Sequence, residues 1–247
     1  MSNKNIIEVT DLVKKFGSFV ANDNLNFTVR EGEIFGFLGA NGAGKTTAIR
    51  ILCGLSSPTS GKVIVAGFNV KTHPEKVKRN IGYMSQRFSL YDDLTVKENF
   101  ELYGGIYGLK KQEIIDRTSA LLGRLGLVSE KDTLLSAIPL GWKQKLAFSV
   151  AIIHKPRIVF LDEPTGGVDP ITRRQFWEMI YEAALSGITV FVTTHYMDEA
   201  EYCERVSIMV DGRIAAMDTP LALMQKYNAQ NMDEVFVKLA RNADTKE

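Results

Sequence analysis

The segment Gly39-Ala40-Asn41-Gly42-Ala43-Gly44-Lys45-Thr46-Thr47 constrains this chain more than any other. It fits the pattern G-x-x-x-x-G-K-[ST] and directly follows the apolar run 34–38. Each residue type has a physical reason to be there. The glycines let the backbone curl until successive N–H groups face one anion. The helix expected after the loop points its positive N-terminus at the same anion. Lys45 adds a mobile point charge across phosphates, and Thr46 offers a hydroxyl to Mg2+. Strand, glycine loop and helix in that order place the chain among α/β folds.

The rest of the pattern fills in that core. Short β-rich segments occur at 6–9, 25–29, 34–38 and 62–66, the last after a turn-rich stretch. From about residue 94 to 154 the spacing becomes helical, which predicts a helical insert over roughly 87–155. Two continuous apolar runs, 158–161 and 188–192, alternate with helices and read as buried parallel strands. Between them, Asp169 and Pro170 supply a helix cap and first helical residue. A Thr-Pro signal at Thr219 and Pro220 starts a further helical stretch. The expected organisation is one α/β domain over 1–218 and a C-terminal helical appendage over 219–247.

The run 158–161 ends in Asp162-Glu163. The first acid suits a metal held through water, and the second suits orienting or deprotonating an attacking water. His195 follows the run 188–192 through Thr193-Thr194. Ligands of open α/β sheets bind outside the carboxyl ends of the strands, so Lys45, Glu163 and His195 are expected to converge on one crevice. Gln86 follows the apolar segment Ile81-Gly82-Tyr83-Met84. By spacing alone it is either a ligand of the metal's water or a polar linker residue. His73 and His154 read as structural, as do Cys53 and Cys203, which at two cysteines allow neither a disulfide scaffold nor a four-cysteine zinc site.

Composition enters as exclusion. With 30 Lys+Arg against 29 Asp+Glu the net charge is +1, which gives no support for a polybasic nucleic-acid surface. No apolar run exceeds the stretch 102–109, far short of the ~20 residues a membrane-spanning helix needs. The N-terminal ten residues have no signal-peptide core, so the expected setting is cytosolic.

The order of phosphate loop, Gln86, helical insert, Asp162-Glu163, Asp169 and His195 resembles the ATP-binding-cassette (ABC) ATPases over nearly the whole chain. The resemblance implies their fold: a mixed, largely parallel core sheet, an antiparallel β subdomain and the helical insert. Phe16 occupies the position of the family's adenine-stacking aromatic. Gln86 matches its glutamine loop, Gly166-Gly167-Val168-Asp169 its dimer-contacting loop, and His195 its switch histidine. ATP and Mg2+ are the implied cofactors. Residues 39–47 would bind nucleotide, and Thr46, Gln86 and Asp162 would hold the metal. Glu163, Gln86 and His195 would be catalytic, and Gly141 and Asp169 would act in trans. Stretches at 162–170, 194–201 and 231–236 look like the drug- and antibiotic-efflux branch. Such proteins pair head-to-tail, as homo- or heterodimers, on separate polytopic membrane subunits at the cytoplasmic face of the membrane.

One departure stands out. The family signature, Leu-Ser-Gly-Gly-Gln, is replaced by Ile138-Pro139-Leu140-Gly141-Trp142. The serine hydroxyl and the first glycine are gone, while the helix behind carries Leu146, Val150 and Ile153 along one expected apolar face. A lost charge-assisted hydrogen bond costs about 1.5–3 kcal/mol, enough to slow hydrolysis or weaken dimerisation. The main reading is therefore an exporter ATPase subunit. A soluble ABC ATPase acting on ribosomes or DNA, and a weakly hydrolysing regulatory subunit, remain as alternatives. The apolar stretch 102–109 is either core or a receptor for a helix of a membrane subunit.

Overall fold

The computed structural model describes residues 4–86 and 90–244; the first residues of the expected insert, 87–89, and the last of the appendage lie outside them. Strands β1 (Asn5–Phe16) and β2 (Phe19–Arg30) form an antiparallel hairpin, and β3 (Ile34–Gly39) leads into helix α1 (Lys45–Leu52). β4 (Ser60–Val65) and β5 (Phe68–Asn69) complete a four-stranded antiparallel sheet in the order β2-β1-β4-β5. Helix α2 (Pro74–Asn80) then precedes β6 (Ile81–Met84). The insert supplies α3 (Val96–Ile106), α4 (Lys111–Leu125) and α5 (Leu140–Ile152). β7 (Ile158–Asp162), α6 (Pro170–Leu185), β8 (Thr189–Thr194), β9 (Arg205–Val210) and β10 (Arg213–Asp218) follow, then α7 (Pro220–Lys226) and α8 (Met232–Asp244). The second sheet runs β10-β9-β3-β8-β7-β6, with every pairing parallel except β9 with β10.

Side-chain alternation explains the layering. On β3, β7 and β8 every residue is buried, so the strands are apolar on both faces. Ile34, Leu38, Val159, Leu161, Val190 and Val192 join one cluster with the insert helices and α6. Phe35, Phe37, Phe160 and Phe191 face the other way, toward α1 and the antiparallel sheet. There Phe27 of β2 meets Phe37 with ring centroids 5.5 Å apart, and Phe37 meets Phe191 at 5.3 Å. The first of these contacts joins the two sheets, and the second extends it along the parallel one.

The helix starts follow local chemistry. Thr95 and Glu98 form a reciprocal capping box on α3. Asp169 accepts from the backbone N–H groups of Ile171 and Thr172, with Pro170 at the first position, as the sequence predicts. Thr219 caps α7 in the same way. Leu223, Met232, Val235 and Leu239 of α7 and α8 bury into the same cluster as β9, so the C-terminal helices share the main core. Helix α5 departs from expectation. Leu146, Val150 and Ile153 are buried, but so is every residue from Gln144 to Ala151, because the helix beyond its first turn is enclosed on all sides.

Candidate active site

Strand order and register assemble the site. β3, β8, β7 and β6 are consecutive neighbours, and Leu38 pairs with Thr194, Thr193 with Asp162, and Leu161 with Met84. Their carboxyl ends are level, so the residues that follow them, Lys45, His195, Glu163 and Gln86, emerge side by side. The sequence-predicted convergence is present in the structure.

Gly44 ends the phosphate loop in the left-handed region, φ 99°, and caps α1. A Cβ there would lie 2.3 Å from the carbonyl oxygen of Ala21, so glycine is obligatory. Lys45 is buried, and its Nζ donates to the carbonyls of Gly39 at 2.8 Å and Ala40 at 3.1 Å. It also lies 3.2 Å from Glu163 Oε1. A cavity of about 290 Å³ opens over Asn41, Gly42, Gly44, Lys45, Thr46 and Thr47, and Gln86 and Glu163 line it too. Ala43 is buried beneath the loop.

The aromatic next to this cavity is Phe19. Phe16, the residue singled out in the sequence, is exposed at the tip of the β1–β2 hairpin with Lys14 Nζ 4.9 Å from its ring centroid. The two phenylalanines pair across the Gly17-Ser18 turn, and of the two Phe19 lines the cavity. The turn dipeptide is the signal that brings Phe19 there.

Asp162 is fully buried at the end of β7. Its Oδ1 accepts from Thr193 Oγ1 at 2.7 Å and from Thr46 Oγ1 at 3.5 Å. Burial raises its pKa, the Thr193 bond opposes that, and the neighbouring Glu163 charge adds to it. A hydroxyl and a desolvated carboxylate side by side are hard oxygen donors that fit Mg2+. Glu163 sits at φ 50°, an uncommon conformation for a residue with a side chain. Its backbone N–H donates to both the carbonyl and the hydroxyl of Thr193, at 3.1 Å each. Its Oε2 accepts from Gln86 Nε2 at 3.0 Å and lies 2.9 Å from His195 Nδ1. One carboxylate therefore meets an ammonium, an amide and an imidazole at the edge of the cavity. Sequence reasoning missed Thr193, because a threonine inside a strand carries no signal of its own.

The two residues expected to act in trans have tight roles within the chain. Asp169 Oδ2 also accepts from Thr172 Oγ1 at 2.6 Å, and these bonds hold its pKa down. Gly141 packs against the same threonine: a Cβ at 141 would lie 2.7 Å from Thr172 Cγ2. Pro139 caps α5 without a side-chain hydrogen bond. Trp142 lies under Lys145, whose Nζ is 4.3 Å from the ring and donates to Gln175 at 2.6 Å. The remaining structural assignments hold: Cys53 and Cys203 are buried in the core, and His73 bonds Thr72 at the surface.

Residues 22–166 match the family model described as ABC transporter. Among curated proteins, the chain is 45% identical over 244 residues to the probable multidrug ABC transporter ATP-binding protein YbhF of Escherichia coli (strain K12). That match covers 97% of this chain but 42% of YbhF, so the chain spans less than half of that relative. It is 37% identical to the bacitracin transport ATP-binding protein BcrA of Bacillus licheniformis, over 92% of this chain and 74% of BcrA. Among solved structures, an ATP-binding subunit of an ABC transporter superposes with a TM-score of 0.85 at 28% identity, covering 95% of this chain and 99% of that one.

Proposed function

This chain belongs to the ABC transporter family of ATP-binding proteins, and from that premise we propose that it binds ATP and hydrolyses it to drive export through separate membrane subunits. The observation that carries the hydrolytic part is Glu163, held in a left-handed turn with its carboxylate at the phosphate-loop cavity. The amides of residues 39–47 and Lys45 bind the phosphates. Lys45 exchanges its contact with Glu163 for phosphate oxygens, which leaves the carboxylate to take a proton from the attacking water. Gln86 and His195, both on Glu163 Oε2, orient that carboxylate and sense the terminal phosphate. Aromatic stacking on adenine falls to Phe16 at the hairpin tip, with Phe19 beside it. Thr46, Asp162 and Gln86 would hold Mg2+, which when bound neutralises phosphate charge. Glu163→Gln is expected to leave ATP binding intact and lower turnover by about 10²–10⁴-fold. Hydrolysis by that variant at the parental rate would remove Glu163 from the role of base.

Support for export comes from the relatives named for multidrug and bacitracin transport. Among the described residues no helix is long and apolar enough to cross a membrane, in keeping with a cassette that sits peripherally on polytopic partners at the cytoplasmic face. Residues 1–218 would form the cassette and 219–247 its C-terminal extension. Two cassettes, identical or not, would pair head-to-tail, with Gly141 and the start of α5 facing the partner's nucleotide through backbone amides.

The Pro139 cap favours one variant of this reading, a slowly hydrolysing cassette, since the cap residue brings no side-chain hydrogen bond. ATPase assays with and without the membrane partner distinguish the two. Turnover that stays absent beside the partner would make the subunit regulatory. Co-purification with ribosomes or DNA in place of a membrane protein would overturn the exporter reading.

A further inference from the structure

We propose that Gln144 is a positioning residue for Glu163, clamping the turn 163–166 to α5 so that the start of α5 and the carboxylate move as one body. The inference rests on the hydrolytic role proposed for Glu163.

The geometry is direct. Gln144 is buried in the second turn of α5, and its Nε2 donates to the carbonyl of Gly166 at 3.0 Å. The N–H of that same Gly166 donates to the carbonyl of Glu163 at 3.2 Å, closing the turn. Gln144 therefore grips the residue that fixes the turn's shape. A left-handed residue with a side chain persists only where its surroundings over-determine it. From the sheet side, Thr193 takes both bonds of the Glu163 N–H. Thr165 donates to the fully buried Glu199 at 2.5 Å. Gln144 is the member of this set that comes from the helical insert.

Two further observations point the same way. Gln144, Gln86 and Glu163 together line a cavity of about 140 Å³, and Gln144 Oε1 is buried with no hydrogen bond among the described residues. The side chain thus faces the pair it is proposed to serve. One turn earlier, Gly141 packs against Thr172, which is bonded to Asp169. Helix α5 is therefore fastened at two points, to Gly166 in the turn after β7 and to Thr172 in the first turn of α6. A displacement of its N-terminus is transmitted to Gly166 and from there to Glu163.

The test compares Gln144→Met, which keeps the length but removes the donor, with Gln144→Glu, which donates only when protonated. Each is measured for binding of a fluorescent ATP analogue, for kcat beside the membrane partner, and for amide exchange over 163–167. The Met variant should bind nucleotide as the parent does, lose roughly tenfold to a hundredfold in kcat, and exchange faster over 163–167. For the Glu variant, turnover relative to the parent should rise as pH falls, because protonation restores the donor. Parental kcat in the Met variant overturns the inference, as does a loss of kcat accompanied by an equal loss of nucleotide affinity. A parent with no ATPase activity beside its partner overturns the hydrolytic reading as well. An active parent with an equally active Met variant overturns this inference alone.

Discussion

His154 shows how far a single environment moves ordinary chemistry. Its ring stacks on Tyr107 with centroids 3.6 Å apart, and its Nε2 donates to the carbonyl of Ile81 at 3.0 Å. Burial pushes its pKa down from 6.5 to about 4, with the Ile81 bond opposing and Arg117 assisting. The folded protein therefore keeps the ring neutral at pH values where the unfolded chain protonates it. Between about 4 and 6.5 the unfolded state binds more protons, so stability falls as pH falls through that window. At about 1.4 kcal/mol per pKa unit the full effect is on the order of 3 kcal/mol. His154→Phe keeps the stacking and removes the titration. Its unfolding free energy, from urea titrations at several pH values, should fall less between neutral and mildly acidic pH than the parent's. Parallel pH slopes in the two proteins would mean that burial does not set this pKa. At this scale legibility followed chemistry: Lys45, Glu163 and His195 belong to motifs whose residue types have few substitutes. Phe19 and Thr193 do not, because their positions depend on a hairpin closing and on strand register.

At the scale of elements, strands 158–162 and 189–194 announce themselves as β-branched and aromatic runs, and the caps at Asp169 and Thr219 mark helix starts. The short α2 and the pair β9 and β10 carry weaker patterns and emerge from tertiary packing. Helix α5 is legible only in part. Its apolar face was readable, but buried Gln144, Lys145 and Ser149 look like a polar, outward face until the elements that enclose them are known. The contact of Gly141 with Thr172 gives a test of how tightly α5 is seated. Gly141→Ala should cost about 1–3 kcal/mol through overpacking. Adding Thr172→Ser removes the obstructing methyl and keeps the hydroxyl that bonds Asp169, so the double variant should recover most of that loss. Chemical denaturation of the parent, the single variants and the double variant measures the coupling. Additive losses in the double variant would show that the glycine is not required by this contact.

For the whole molecule, the layered core and the crevice followed from strand order, whereas the outward face of the insert needed the structure. The stretch 102–109 divides: Gly104 is buried against Ile114, with Tyr103, Tyr107 and Leu109 packed on the core, while Leu102 and Ile106 are exposed one helical turn apart. At a net charge of +1 the molecule has little net long-range field to steer a partner, and Leu102 and Ile106 offer local apolar contact. Leu102 and Ile106 lie on α3, the first helix of the insert that follows Gln86 in the sequence. Replacing both by glutamate leaves the core face of α3 untouched, so folding and binding of a fluorescent ATP analogue should be retained. Affinity capture of the tagged protein from detergent-solubilised membranes should then lose the membrane subunit proposed to accompany the parent. A double variant that still carries the membrane subunit at parental stoichiometry would move the docking surface elsewhere on the cassette. Loss of the membrane subunit with nucleotide binding intact would place the docking contact on α3.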